Sequence, residues 1–294
     1  MTLSPIELLA AVAASVVLSA CGLTTAVTGG PAGPERAPSA METPAPSGSV
    51  ALPEPSASPS PAPPLRAYIS HGSRSRKWIA LTFDADMYRW MYAERDRVPE
   101  VDLRIVDLLE QTHTPATIFV NGLFVRAYPD LVKRLAGDPG IELANHSWDH
   151  AGWTRDCPYS RPIQPPMTRR TEVTKTEAIV RDVTGVEIQY FRFPGFCHTT
   201  SDVTLVRSLG EYSIGSDCFF GDTYGWSARR QVASVERGCT SGSIVVTHLN
   251  GPPYHANVYE ALRVLIPWWK EHGWTVVNVG QMLGHPTPRP AGSD

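Results

Sequence analysis

A repeated alternation of strand-like and helix-like segments constrains the fold of this chain more than any other feature of its sequence. Short apolar runs predict strands at residues 78–83, 116–120, 141–144, 190–192, 243–247 and 274–279. Segments with apolar residues on one face predict helices at residues 100–112, 129–136, 171–184 and 258–272. Repeated βα units imply an α/β fold with a parallel sheet and crossover helices. The number of units favours a barrel over a three-layer sandwich.

Polar residues close nearly every predicted strand. They are Asp84, His146, Arg192 and His248. In parallel barrels the catalytic groups lie where the strands end at their C-terminal edge. The sequence therefore predicts a polar site at that edge.

Two histidines at positions i and i+4 suggest metal binding. On a helical turn this spacing would put His146 and His150 on one face, able to hold a single Zn²⁺-like ion. In zincin proteases a glutamate that acts as base follows the first histidine. Ser147 stands in that place, so the protease interpretation is excluded. Such a pair often arises by chance, and its weight here comes from the polar residues at the neighbouring strand ends.

The N-terminal segment predicts export. Residues 8–20 form an apolar run of the length of a signal-peptide core, too short to span a bilayer comfortably. Leu18 to Cys21 resembles a bacterial lipobox, in which the cysteine thiol carries diacylglycerol. We expect a signal peptide at residues 1–21, lipidation of Cys21, and a place on the outer face of the cytoplasmic membrane. A plain secretory signal or an N-terminal membrane anchor, with Cys21 incidental, is the alternative.

Residues 22–66 predict a disordered linker. The segment is rich in Pro, Ala, Ser and Gly and contains no aromatic residue. Such a composition cannot bury enough apolar surface to offset the entropy of the chain. The folded domain is predicted at residues 67–285, followed by a tail at residues 286–294. A net charge of −3 argues against a nucleic-acid partner, which would require a basic face.

Seven short motifs follow one another along the chain. They are TFDAD (82–86), ATIFVNG (116–122), YPDLVKRLA (128–136), ELANHSWDH (142–150), RFPG (192–195), SIGSD (213–217) and IVVTH (244–248). They resemble the motifs of the polysaccharide deacetylases, the NodB-homology domain or carbohydrate esterase family four. The likeness covers roughly residues 77–283, and it implies a distorted or incomplete (β/α) barrel that acts on acetylated glycans.

The resemblance implies a role for each matching residue. Amide or ester hydrolysis needs an activated water, a sink for the developing negative charge and an acid for the leaving group. Asp84 matches the general base and Arg192 the residue that orients it. His248 matches the general acid, and Asp217, in SIGSD, matches the residue that tunes it.

The first motif departs from the family pattern. The family usually has Asp-Asp-Gly, whose second aspartate is a metal ligand, where this chain has Ala85 followed by Asp86. Either Asp86 reaches the metal, or the two histidines hold it with water and Asp84, or the metal site is lost. We favour Asp86, His146 and His150, since three protein ligands are the usual catalytic arrangement. Zn²⁺ is the first choice for such ligands, with Co²⁺, Ni²⁺ and Mn²⁺ as alternatives.

Four cysteines follow Cys21, and an even number in an exported domain suggests two disulfides. Three pairings are open. A bridge between Cys157 and Cys197 would clamp two loops at the site, and Cys218 would then pair with Cys239. Free buried thiols are the alternative.

Two functional hypotheses of different classes follow. The first is a metal-dependent hydrolase that removes acetyl groups from N-acetylated, or O-acetylated, cell-wall or extracellular polysaccharide. Its substrate would be peptidoglycan, a chitin-like glycan or a xylan-like glycan. The second is a catalytically silent glycan-binding lipoprotein. Ala85, which stands where the family has a metal ligand, is the feature that supports this alternative.

Overall fold

The computed structural model describes residues 68–97, 101–158, 160–250 and 257–289. These residues belong to one unit, Pro61–Asp294. The predicted signal peptide, its Cys21 and the linker at residues 22–66 lie outside the described residues, as do residues 290–294 of the tail. In the described ranges, no helix is both long enough and apolar enough to cross a bilayer.

Nine strands of the described residues form one sheet in which every pairing between named strands is parallel. They are β1 (Tyr68–Ile69), β2 (Trp78–Ala85), β3 (Ala116–Val120), β4 (Ile141–Asn145), β5 (Tyr190–Phe191), β6 (Tyr212–Ile214), β7 (Cys218–Phe219), β8 (Ser243–Asn250) and β9 (Thr275–Val277).

The strands follow the order β1-β6-β5-β4-β3-β2-β8-β7. Strand β9 pairs with the first residues of β2, while β3 pairs with its last residues, and β8 runs along nearly its full length. The terminal strands β1 and β7 do not pair with each other in the described part of the chain. The sheet is therefore a curled half-barrel, which confirms the predicted distorted or incomplete (β/α) barrel.

Helices connect the strands and cover the outer face of the sheet. They are α1 (Arg89–Ala93), α2 (Leu103–Thr112), α3 (Gly122–Ala127), α4 (Pro129–Gly137), α5 (Arg169–Thr184), α6 (Thr200–Ser208), α7 (Ala228–Gly238), α8 (Val258–Glu271) and α9 (Val279–Leu283). The four predicted helices are confirmed within three residues at each end. The structure adds α1, α3, α6, α7 and α9, which the sequence analysis did not predict.

The alternation of side chains along β2 separates two layers of the core. Ile79, Leu81 and Phe83 pack in the layer between the sheet and the helices. Ala80 belongs to the second layer, inside the curled sheet. Because successive side chains of a strand point to opposite faces, the even-numbered residues of β2 face the concave side. That side opens toward the site at the C-terminal ends of the strands.

Candidate functional site

Asp84 and Asp86 lie on the concave side of the sheet because the alternation of β2 continues past its end. Ala85, between them, is fully buried in the outer layer of the core. Both aspartates are buried, with 4% and 1% of their surfaces exposed. A second carboxylate at the site therefore needs no special turn after β2. Ala85 takes the place of the family's second aspartate, and the second acid of this chain stands one residue later, on the same face as Asp84.

A bulge between β2 and β8 holds the backbone of Asp86. Asp84 pairs with His248, but Ala85 pairs with Asn250, so β8 contains one extra residue there. The side chain of Asn250 accepts a hydrogen bond from the Asp86 amide at 2.9 Å and donates one to its carbonyl at 2.7 Å. The Asn250 side chain thus contributes to the site by fixing the backbone of Asp86. The sequence analysis did not single out Asn250.

The two histidines lie on a loop after β4, so the prediction that they share a helical turn is wrong. Ser147 and His150 have positive φ angles of 65° and 61°, which break any helical path. Hydrogen bonds from neighbouring residues hold this loop, residues 146–150, which we call the histidine loop. Asn145 accepts a hydrogen bond from the Ser147 amide at 2.9 Å, and Glu172 of α5 accepts one from the Trp148 amide at 2.9 Å.

The loop nevertheless brings both imidazoles to Asp86. Ligand atoms of Asp86, His146 and His150 all lie within 4.8 Å of one another. Nε2 of His146 is 3.4 Å from Oδ1 of Asp86, and Nε2 of His150 is 3.5 Å from Oδ2. These are the three residues that the sequence analysis favoured as ligands.

The hydrogen bonds of the two imidazoles leave their Nε2 atoms for a ligand. Nδ1 of His146 lies 2.9 Å from the Arg192 carbonyl and must donate to it, so Nε2 of His146 carries the lone pair. Nδ1 of His150 lies 3.1 Å from Oγ of Ser160. Nε2 of His146 and Oδ1 of Asp86 are buried without a hydrogen-bond partner among the described residues. Buried ligand atoms that lack a hydrogen-bond partner fit the binding of a divalent cation.

Burial sets the charge of these three groups. Burial lowers the pKa of both imidazoles, that of His150 to about 4, so both are neutral near pH 7. Burial also raises the pKa of Asp86 to about 6, against the opposing effect of His146 and His248. Neutral imidazoles are the form that binds metal, and a bound cation would keep Asp86 ionised.

Asp84 is paired with a fully buried arginine. Nη1 of Arg192 donates to Oδ1 of Asp84 at 2.6 Å, and Nη2 donates to the Gly215 carbonyl at 3.3 Å. The guanidinium lies 3.9 Å from the ring centroid of Phe119. Burial acts to raise the pKa of Asp84, but Arg192, followed by His146 and His248, lowers it below its ordinary value. Asp84 is therefore an ionised carboxylate with its Oδ2 atom 3.7 Å from Nε2 of His146.

His248 is paired with Asp222, and the prediction that Asp217 tunes it is wrong. Nδ1 of His248 lies 2.9 Å from Oδ2 of Asp222, which also accepts from the His248 amide. Burial acts to lower the pKa of His248, but Asp222, followed by Asp86 and Asp84, raises it to about 9. His248 is thus protonated near pH 7.

Asp217 lies at the other end of β8. It forms an ion pair with Arg74 at 2.6 Å and accepts a hydrogen bond from the Ile244 amide at 2.9 Å. His248 is four residues further along the strand, about 13 Å at 3.3 Å per residue. Asp222 follows β7 on a short 3₁₀ turn, Asp222–Tyr224. A second aspartate in the strand-end loop was the signal that could have found it.

Two disulfides have the expected pairing. Cys157 is bonded to Cys197 with a Cα–Cα distance of 5.6 Å, and Cys218 to Cys239 with 5.3 Å. The first bridge joins the loop after His150 to the segment that follows Arg192. It therefore clamps two loops at the site, as predicted.

Comparisons with known proteins identify the family of this chain. A family model described as polysaccharide deacetylase matches residues 71–213. The chitooligosaccharide deacetylase of Rhizobium leguminosarum bv. trifolii is 36% identical over 204 residues, which cover 64% of this chain and 81% of that protein. The chain belongs to the polysaccharide deacetylase family. The sequence-based assignment to this family is confirmed.

Other members of the polysaccharide deacetylase family resemble the chain less closely in sequence. The peptidoglycan-N-acetylglucosamine deacetylase PgdA of Listeria monocytogenes is 26% identical over 216 residues, 72% of this chain. The chain spans only 31% to 40% of the length of the larger curated relatives that it matches. The crystal structure of the Bc1960 peptidoglycan N-acetylglucosamine deacetylase, 22% identical, superposes with a TM-score of 0.64 over 76% of this chain and 95% of that one. This likeness establishes the shared fold.

Proposed function

We propose that this chain is a metal-dependent hydrolase that removes acetyl groups from an N-acetylated polysaccharide outside the cell. One observation carries the proposal. An ionised aspartate bonded to Arg192, a three-ligand cluster with orphaned donor atoms and a protonated His248 lie together at the C-terminal edge of the strands. Hydrolysis of an acetamide needs these three elements.

Asp86, His146 and His150 would hold the metal. A divalent cation there would supply Lewis-acid polarisation of the acetyl carbonyl and of a water molecule. Zn²⁺ is the first choice for one carboxylate and two imidazoles, with Co²⁺, Ni²⁺ and Mn²⁺ as alternatives. Asn250 and the bonds of Asn145 and Glu172 to the histidine loop keep the ligands in place.

Asp84 is proposed as the general base. Its Oδ1 atom is held by Arg192, which leaves Oδ2 facing His146 and the cluster. From this position the carboxylate can take a proton from an attacking water as the bond to the acetyl carbon forms. Arg192 fixes the orientation of the carboxylate and keeps it ionised, so it acts as a positioning residue.

His248 is proposed as the general acid. It pairs with Asp84 across the β2–β8 ladder, and paired residues of neighbouring strands place their side chains on the same face. Asp222 holds Nδ1, so Nε2 of the imidazolium can donate its proton to the departing amine. The leaving amine would otherwise have to depart as a strongly basic anion.

The relatives suggest the substrate class. The Rhizobium and Listeria proteins are a chitooligosaccharide deacetylase and a peptidoglycan-N-acetylglucosamine deacetylase. Both names specify glycans that contain N-acetylglucosamine, and we propose the same class for this chain. O-acetylated xylan is the alternative, since another relative is a bifunctional xylanase/deacetylase.

The test is acetate release by the purified protein from chitooligosaccharides, peptidoglycan fragments and acetylated xylan. We expect release from at least one N-acetylated glycan, loss of that release after chelation, and recovery when Zn²⁺ or Co²⁺ is added. Glycan binding without acetate release under every metal condition would instead support the silent glycan-binding protein.

We also propose that the domain is exported and tethered by a lipid on Cys21, with residues 22–66 as a spacer. The apolar run at residues 8–20 and the lipobox-like sequence before Cys21 support this. Cys21→Ala should release the protein from membranes or block its processing. Identical fractionation and identical N-termini for the variant and the wild type would contradict the lipid anchor.

A further inference from the structure

A cavity lies beside the histidine loop. Its volume is about 310 Å³, within the range of small-ligand pockets. Three cationic side chains line it, from three different helices: Arg89 of α1, Arg126 of α3 and Lys175 of α5. The indole of Trp148, from the histidine loop, lies among them. We call this the basic cavity.

The positive charge of the basic cavity is only partly compensated. Arg89 donates through Nε to the buried carboxylate of Asp149. In the described ranges, no carboxylate lies within ion-pair distance of Arg126 or Lys175. Nζ of Lys175 is 4.0 Å from the ring centroid of Trp148, and the Arg126 guanidinium is 5.6 Å from that of Tyr92. Two cations are therefore available to an incoming anion.

Hydrogen bonds and close packing fix the position of two residues that line the basic cavity, Trp148 and Arg89. The Trp148 backbone is held on both sides, by the Leu123 amide donating to its carbonyl at 2.9 Å and by its own amide donating to Glu172. Gly122 makes room for the indole, because a Cβ at Gly122 would collide with the ring. The Asp149 side chain that holds Arg89 is only 3% exposed.

The basic cavity is adjacent to the proposed metal ligands. Trp148 and Asp149 lie between His146 and His150 in the same loop. Arg89 directly follows Tyr88, whose ring centroid is 4.4 Å from that of His150. A group bound in the cavity would thus sit next to the sugar whose acetyl group is removed.

We propose that the basic cavity binds an anionic substituent of the glycan, a carboxylate or a phosphate carried near the acetylated sugar. Arginine and lysine recognise both groups through charge-assisted hydrogen bonds, and the indole offers an apolar surface to the sugar ring. This inference rests on the proposed function and narrows its substrate class, which includes neutral chitin-like glycans, to acidic glycans.

The test compares charged with neutral substrates and includes one pair that differs at the carboxylate alone. Deacetylation kinetics of the full chain would be measured on muramic-acid-containing oligosaccharides, on the same compounds with the lactyl carboxylate amidated, and on neutral chitooligosaccharides. A phosphorylated chitooligosaccharide distinguishes phosphate from carboxylate. The variants are Arg126→Gln, Lys175→Gln and the double substitution, with Arg229→Gln of α7 as a control for loss of an exposed cation.

We expect the double variant to lower kcat/KM about tenfold or more on one anionic substrate, with little change on its neutral counterpart. The preference of the wild type for the anionic over the neutral substrate should weaken as the salt concentration is raised. Equal losses on charged and neutral substrates, or no loss on either anionic substrate, would overturn the proposal and leave the proposed function standing. If no substrate is deacetylated, the proposed function fails. Calorimetric binding of the same charged and neutral oligosaccharides to the wild type and the double variant then decides whether the cavity binds anions.

Discussion

Oδ2 of Asp222 lies 2.9 Å from Nδ1 of His248 and accepts two further hydrogen bonds, from the His248 amide and the Thr247 hydroxyl. A buried carboxylate with three donors is held in one orientation. Burial acts to lower the pKa of His248, but Asp222, followed by Asp86 and Asp84, stabilises the imidazolium and raises this pKa to about 9. The acid of the proposed reaction is therefore in its protonated form over the neutral range.

The pH dependence of deacetylation follows from this pair. Because the acid form of His248 exists below a pKa of about 9, activity should persist through neutral pH and fall as the pH rises through 9. Asp222→Asn removes the negative charge, so this alkaline fall should move to lower pH by about 1–3 units. Asp217→Asn is the matched control and should leave the alkaline fall in activity at the same pH. An unchanged profile in Asp222→Asn would contradict the pairing's role.

Loss of the acid should depend on the leaving group. His248→Ala should lower kcat on acetamide substrates by about 10²–10⁴. Activated aryl acetates need little protonation of the leaving group, so their turnover should fall far less. The comparison is a pair of kinetic measurements on one variant. Equal losses on amide and ester would indicate that His248 does something other than donate a proton.

Asn250 should matter for metal binding although it holds no metal. Asn250→Ala removes both hydrogen bonds to the Asp86 backbone and frees the loop that carries this carboxylate. We expect metal affinity to fall by about 10–100-fold, the usual effect of losing a group that orients a ligand. Asn278→Ala, which uncaps α9, should lower stability but leave metal affinity unchanged. Similar metal affinities in both variants would rule out the positioning role.

The two disulfides should differ in effect. Replacing Cys157 and Cys197 by serine opens a connection across 40 residues, and replacing Cys218 and Cys239 opens one across 21. Both changes should lower the free energy of unfolding, by about 2–4 kcal/mol. Only the first bridge clamps loops at the site, so only its loss should also weaken metal binding. Titration calorimetry and thermal unfolding of both double variants would measure this, and equal metal affinities would contradict the clamp.

Long, periodic elements of this fold could be predicted from the sequence. Helix α3, by contrast, has only six residues, too few for an apolar period to appear. Helix α7 has only a narrow apolar stripe, made by Ala228, Val232 and Val235 in a mostly polar segment. Strands β1 and β7, which were not predicted, are two residues long. Their conformation is set by pairing with neighbouring strands, which the local sequence does not encode.

The candidate site was predictable where a residue directly closes a strand. Asp84, Arg192, His146 and His248 lie at strand ends in the structure, as expected. The partner of His248 was not predictable in this way, because Asp222 reaches it from a 3₁₀ turn beyond β7. The contribution of Asn250 depends on a single-residue bulge between β2 and β8. Both relationships join residues that are far apart in the chain. They become visible only in the folded structure, where β2, β7 and β8 lie side by side.

The central claim is that Asp86 binds the metal while Asp84 acts as the base. Metal stoichiometry and affinity of Asp86→Ala and Asp84→Asn, measured with acetate release in the same preparations, test it most directly. We predict that Asp86→Ala loses metal affinity strongly and regains part of its activity when excess metal is added. Asp84→Asn should retain the metal and lose turnover by about 10²–10⁴. An empty site in Asp84→Asn together with full metal binding in Asp86→Ala would contradict the account and assign the third ligand to Asp84.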